Sequence, residues 1–267
     1  MAKKQVIPER IISLTPSLTE ILYALDLGSR VCGVTDSCDY PAAVADRPNV
    51  ACWFDPDLAK LLALKPDMVL GLQTAHDKLK LKIESQGIPV MLVNPTTVDG
   101  ALADITRIGK MLGAQEKSEN LAADLQIRLS ALNARVNDIS GPSKLTVCRI
   151  LDMDEGRFYV AGPLSFQYDI ITRAGGLNVT GATDEAYPDI TLSQLQEWDP
   201  QVIFNCGFDL ITNPALTGKH DWQALKAVQS GRVFSFDCSL TCRTGPRIVD
   251  MVELLFKTLY ENICRVG

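Results

Sequence analysis

The 267-residue chain holds only two histidines, His76 and His220, and lacks the G-x-S-x-G, H-E-x-x-H and Walker patterns of hydrolases, zinc proteases and nucleotide-binding enzymes. An enzyme is therefore not expected. No apolar run approaches the roughly 20 residues of a membrane-spanning helix. Basic residues are not in excess either: 26 Lys and Arg against 32 Asp and Glu give a formal charge of −6. That argues against nucleic acid as a main partner, because phosphate backbones select clustered positive charge. The opening "MAKKQVIPER" has neither an apolar core region nor a small-residue cleavage site, which leaves a cytoplasmic protein or a mature form without its signal. No Gly/Ser-rich linker interrupts the chain, so any lobes are expected to be held rigidly.

What is present is an ordinary globular balance, 46% hydrophobic and 22% charged, enough for two cores. Short β-branched runs alternate with helical patterns. "RIISL" (10–14), "VCGVT" (31–35), "MVLGL" (68–72) and "PVMLVN" (89–94) read as buried strands, with helices at 17–28 and 57–64 between them. Leu121, Leu125, Leu129, Leu132 and Val136 then stripe one long amphipathic helix over 116–140, closed by Gly141-Pro142. A second alternating block has strands at 144–151, 201–206 and 232–236 and a last helix from about 246 to 263. "DLAKLLALKPDMVLGL" (57–72) superposes without gaps on "TLSQLQEWDPQVIFNC" (191–206), half a chain apart. The expected architecture is α/β: two Rossmann-like lobes with parallel sheets, residues 1–112 and 142–267, joined by a backbone helix over 113–141, with a ligand cleft between the lobes. Gly175-Gly176 reads as a helix C-cap turn, and "DMDEG" (152–156) as a polar cleft loop that lacks the remaining ligands of a calcium site.

Ligands of open parallel sheets sit beyond the carboxyl ends of the strands. The segments expected there are 36–41, 73–76, 94–97, 152–159, 207–209 and 237–243, with 51–55 alongside. They carry Tyr40, Trp53, Phe54, Phe158, Tyr159, Phe208, Arg157 and Arg243, which suits a large, flat, partly apolar ligand with polar edges. Five of the eight cysteines fall there too: Cys38, Cys52, Cys206, Cys238 and Cys242. Their thiolates could bind a soft metal or an iron–sulfur cluster, with His76 as an extra ligand. Alternatively Cys238 and Cys242 could form a local disulfide. Cys32, Cys148 and Cys264 read as small core residues.

"RIISLTPSLTEILYALDLGSRVCGVTDSCDYP", Trp53, "LLALKPDMVLGL" and "CRTGPRIVDMVELL" together resemble the helical-backbone class of substrate-binding proteins of ABC importers. The resemblance runs over nearly the whole chain. It implies an extracytoplasmic, monomeric protein that presents a corrinoid or an iron chelate to a permease. Asp39-Tyr40-Pro41 and Trp53 look most like the cobalamin-binding branch, which implies ligand contacts at Tyr40 and Trp53 with Arg243 as a polar partner. Two departures stand out. The glutamates that dock such proteins on their permease are replaced by Ala59 and Ser193, with Asp55, Asp57, Asp189 or Glu197 near enough to substitute. Thiols are also not a hallmark of that branch's cleft. A stand-alone, cytoplasmic binder of metal or an iron–sulfur cluster through the cysteines is the alternative.

Overall fold

The computed structural model describes residues 7–154, 156–207 and 218–261. The chain divides into two compact units, one of residues 1–95 and 99–125, the other of 96–98 and 126–267.

The first unit is built on four parallel strands in the order β2-β1-β3-β4: β1 (Ile11–Ser13), β2 (Val31–Val34), β3 (Met68–Leu72) and β4 (Val90–Val93). Each falls where a β-branched run places it, and Ile12, Leu14, Val50, Leu61, Val69 and Ile83 form a core against the sheet. Helix α1 (Pro16–Ala24) has its proline at the permissive first turn and ends earlier than its sequence suggests. Asp26, just past its end, takes the left-handed conformation (φ 58°). Gly28 lies against the Tyr23 ring, where an added Cβ would come within 2.7 Å. Helix α2 (Leu58–Ala63) is capped by Asp57, and α3 (Gln73–Glu84) starts directly at the end of β3. Gln73–His76 is thus the first turn of a helix and not a loop.

Helices α4 (Val98–Met111) and α5 (Gln115–Asn137) follow, and α5 begins in the first unit and ends in the second. Its buried stripe is Leu125, Leu129, Leu132 and Val136, four of the five positions read from the sequence; Leu121 is only partly buried.

The second unit has a mixed sheet ordered β10-β9-β5-β6-β8, with β7 paired to the start of β5. Its strands are β5 (Thr146–Asp154), β6 (Arg157–Val160), β7 (Leu177–Asn178), β8 (Asp189–Thr191), β9 (Val202–Cys206) and β10 (Val233–Phe236). Strands β5, β7, β9 and β10 are parallel, but β6 runs antiparallel to both β5 and β8. The all-parallel expectation fails here for a local reason. Strand β5 continues to Asp154, and Gly156 (φ 81°) turns the chain straight back, which leaves no length for a crossover helix. The segment 152–159 is therefore a hairpin and not a cleft loop. Phe158 points from it into the core, 2% exposed, with its ring edge-on to Trp222 at 5.7 Å between centroids. Among the described residues, the unit also holds helices α6 (Phe166–Arg173), α7 (Leu192–Trp198), α8 (His220–Gln223), α9 (Lys226–Gln229), α10 (Cys238–Thr241) and α11 (Ile248–Tyr260). Gly175 (φ 82°) follows α6 as the expected C-terminal turn.

The internal repeat is structural. Strands β3 and β9 begin 134 residues apart, at 68 and 202, and the same offset relates other features. Asp57 Oδ1 accepts from Lys60 N at 3.0 Å, and Thr191 Oγ1 accepts from Gln194 N at 3.2 Å. Lys65 (φ 48°) and Asp199 (φ 41°) both take the left-handed conformation just before a proline.

Candidate functional site

In the first unit the strand ends present aromatic surface. Trp53 and Phe54 form a tilted ring pair with centroids 3.7 Å apart. Phe54 is 67% exposed, Tyr40 is 47% exposed, and Trp53 is partly buried. These rings leave apolar surface that folding does not cover. Beneath them His76 is buried. Its Nε2 lies 2.7 Å from the Trp53 carbonyl oxygen, and Leu72 N donates to its Nδ1 at 3.0 Å. These partners assign the proton to Nε2 and leave Nδ1 as acceptor. Burial pulls the His76 pKa below its ordinary value, so the ring is neutral. Both nitrogens are engaged by backbone, which removes His76 from the candidate metal ligands and makes it the post that holds the Trp53 segment. Gly71 permits this, because a Cβ there would stand 2.9 Å from His76 Nδ1.

Cys38 is buried, with the Thr19 hydroxyl donating to its sulfur at 3.2 Å and Thr35 Oγ1 at 3.3 Å. Cys52 is exposed. Among the described residues, neither joins a group of thiols.

In the second unit Cys206, Cys238 and Cys242 do converge, their sulfurs all within 4.8 Å of one another. Cys206 ends β9 beside Phe236, the last residue of β10. The chain leaving β10 makes the single turn of α10, where Asp237 Oδ1 accepts from Ser239 N at 2.7 Å. Residues four apart on a helical turn share a face, so Cys238 and Cys242 both turn toward Cys206. The Cys206 and Cys242 sulfurs are 3.1 Å apart, and all seven described cysteines are free thiols. Cys238 and Cys242 are thus not joined in a disulfide, and Cys242 lies against Cys206. Gly207 (φ 69°) makes room, since a Cβ there would come 2.3 Å from the Cys238 sulfur.

Arg149, from the middle of β5, completes the group. It is 1% exposed, with Nη2 at 3.2 Å from the Cys242 sulfur and 3.7 Å from that of Cys206, while its Nε has no partner among the described residues. The hydrogen bond from Cys242, helped by the charge of Arg149, pulls the Cys206 thiol down to about 6. The same bond pushes the Cys242 thiol up, and burial raises that of Cys238. Sequence reading missed Arg149; a lone charge inside the apolar run "LTVCRIL" was the available signal. Tyr159 is exposed on the hairpin, Arg243 is partly buried, and Phe208 lies outside the described residues.

Ala59 and Ser193 are both exposed. Of the acids near them, Asp57 is spent on its helix cap and Asp189 pairs with Arg157 at 2.6 Å. Asp55 and Glu197 are exposed.

Comparison with known proteins adds a family match, two relatives and two solved structures. A family model described as periplasmic binding protein matches residues 11–239. An uncharacterized ABC transporter substrate-binding lipoprotein of Bacillus subtilis (strain 168), YvrC, is 28% identical over 260 residues, covering 96% of this chain and 81% of that protein. The vitamin B12-binding protein of Vibrio cholerae is 26% identical over 250 residues, covering 92% and 87%. Among solved structures, the periplasmic vitamin B12 binding protein BtuF of Vibrio cholerae superposes with a TM-score of 0.82 at 25% identity, over 94% of this chain and 96% of that one. The heme-binding protein BhuT, solved with two hemes, has the same fold, with a TM-score of 0.85 at 24% identity over 95% and 98%.

Proposed function

This chain belongs to the periplasmic binding protein family, and on that premise we propose that it is the extracytoplasmic, non-catalytic receptor of an ABC importer whose cargo is a metal-bearing macrocycle or chelate: a corrinoid, haem or a ferric complex. The observation that carries this reading is the exposed aromatic surface of Trp53, Phe54 and Tyr40 at the strand ends, anchored from below by His76. A flat macrocycle offers a large apolar face for such rings and polar edges for hydrogen bonds. Tyr159, Phe208 and Arg243 are proposed as further contacts. Phe158 is not, because its ring is committed to the core. The relatives named for vitamin B12 and heme agree with this cargo class.

Docking on a permease would fall to Asp55 and Glu197, the exposed acids nearest to Ala59 and Ser193. Charge pairs of this kind steer and orient association.

Titration of the purified chain with hydroxocobalamin, haemin and a ferric siderophore, followed by tryptophan fluorescence and ligand absorbance, tests the proposal. One of the three is expected to saturate at one site. Trp53→Ala should weaken it by about 2 kcal/mol, roughly thirtyfold, as loss of a central aromatic anchor does. Its melting temperature should hardly move. Failure of all three ligands to bind would overturn the reading.

A further inference from the structure

We propose that Cys206, Cys238 and Cys242 form a binding site for one thiophilic divalent metal ion of the zinc and cadmium type, with Arg149 as its charge-balancing neighbour. The site lies within one unit and stands on its own residues, whatever organic cargo the protein carries.

Three observations converge on it. The first is distance. Bonds of about 2.3 Å from one metal to three thiolates place the sulfurs roughly 4 Å apart. The three sulfurs already lie within 4.8 Å of one another, Cys206 and Cys242 at 3.1 Å, so binding asks for adjustments of about an ångström or less. A four-iron cluster would need its thiolates on different irons and therefore farther apart, so the spacing selects a single ion.

The second is charge. Among the described residues, the hydrogen bonds of the buried Arg149 guanidinium run to the sulfurs of Cys206 and Cys242, and it lies over the face of Phe204, 6.0 Å from the ring centroid. A buried cation without an anion is costly. Three thiolates around a divalent ion carry one net negative charge, which a single guanidinium neutralises. A monovalent ion would leave the site one charge short of balance.

The third is access. Cys206 is buried, Cys238 partly buried and Cys242 exposed, so the ion has an entry side and an open position for water, as three-ligand zinc sites have. Gly207 is the device that lets the strand end approach Cys238 this closely. Binding is a coordination step without electron transfer: each thiol still protonated releases its proton to solvent as its metal–sulfur bond forms.

The experiment uses the full chain, reduced and desalted without oxygen, and titrates it with cadmium ion alone. A near-ultraviolet thiolate-to-metal charge-transfer band should rise and stop at one equivalent, and bound zinc should be displaced on the same curve. Cys242→Ser, on the exposed side, should weaken binding by more than about tenfold, since even an outer-shell change commonly costs that much. Cys206→Ser should do the same, and the exposed control Cys52→Ser should change nothing. Because the buried Cys206 variant can misfold, protection is read on the natural sequence as well. Cadmium should slow alkylation of Cys206, Cys238 and Cys242 together, as mapped by mass spectrometry, and leave Cys52 reactive. No saturable band, a band that survives Cys242→Ser, or a Cys206–Cys242 disulfide in the protein kept reduced would each overturn the proposal. So would preferential assembly of an iron–sulfur cluster over binding of cadmium or zinc.

Discussion

Replacing His76 with leucine would keep the volume of a buried side chain and remove two hydrogen bonds. The Leu72 N–H, 3.0 Å from Nδ1, and the Trp53 carbonyl, 2.7 Å from Nε2, would both lose their partner in a place where the ring is 1% exposed. An unmet buried donor or acceptor costs about 1–3 kcal/mol, so the pair should cost about 2–6 kcal/mol, a large share of an ordinary domain's stability. His76→Gln, which carries both a donor and an acceptor, should recover part of that loss. Urea denaturation of the three proteins at pH 8 measures it. The natural protein should also lose stability on mild acidification. Burial holds the folded-state pKa below 6.5, so the unfolded chain takes up its proton first as pH falls. The His76 contribution is therefore complete above 6.5 and shrinks below it, down through the folded-state value, and His76→Gln should flatten the slope in that window. Affinity for the macrocycle should fall with His76→Leu as well, because the Trp53 segment loses its post. A leucine variant within about 1 kcal/mol of the natural protein, with an unchanged acid slope, would refute the assignment.

Asp57→Ala and Thr191→Ala should each cost about 1 kcal/mol in chemical denaturation, the usual worth of a helix N-cap, and the double variant should show their sum because the two caps share no partners. Phe158→Ala should lower stability by about 3–5 kcal/mol through the cavity it leaves beside Trp222, with cargo affinity of the folded protein unchanged; a loss of affinity at preserved stability would return Phe158 to the ligand surface.

The strands were legible because buried parallel strands read as short β-branched runs, and the long helix because its stripe repeats over many turns. The hairpin was not legible. Asp152, Asp154 and Arg157 lie on its exposed positions and make the segment look like a loop, and only Phe158 and Val160 betray the alternation. The start of helix α3 was read as a strand-end segment for a different reason: the helix has no side-chain cap, and Leu72 of β3 is itself the capping position. The site was legible by address and not by grouping. Loop position correctly marked Cys206, Cys238 and Cys242 as neighbours of one sheet end, yet it swept in Cys38, whose sulfur is engaged by two threonines, and His76, whose nitrogens serve the backbone. Proximity to a strand end does not say where a side chain points.

The repeat explains how one scaffold carries two different furnishings. Across the 134-residue offset the two halves keep what the backbone needs: a side-chain oxygen that caps the helix, a left-handed residue, a proline, and a five-residue buried strand. They part company where the strand ends. Leu72 corresponds to Cys206, and Gln73, which opens helix α3, corresponds to Gly207, whose left-handed conformation admits the Cys238 sulfur. On one side the helix starts at once and brings His76 back under the aromatic pair; on the other the strand ends on a thiol beside a buried arginine. Scaffold positions are constrained by backbone hydrogen bonding and packing, whereas positions just past the strands are free to take on chemistry. Within the repeated segment, the halves therefore differ most sharply just past the strand ends.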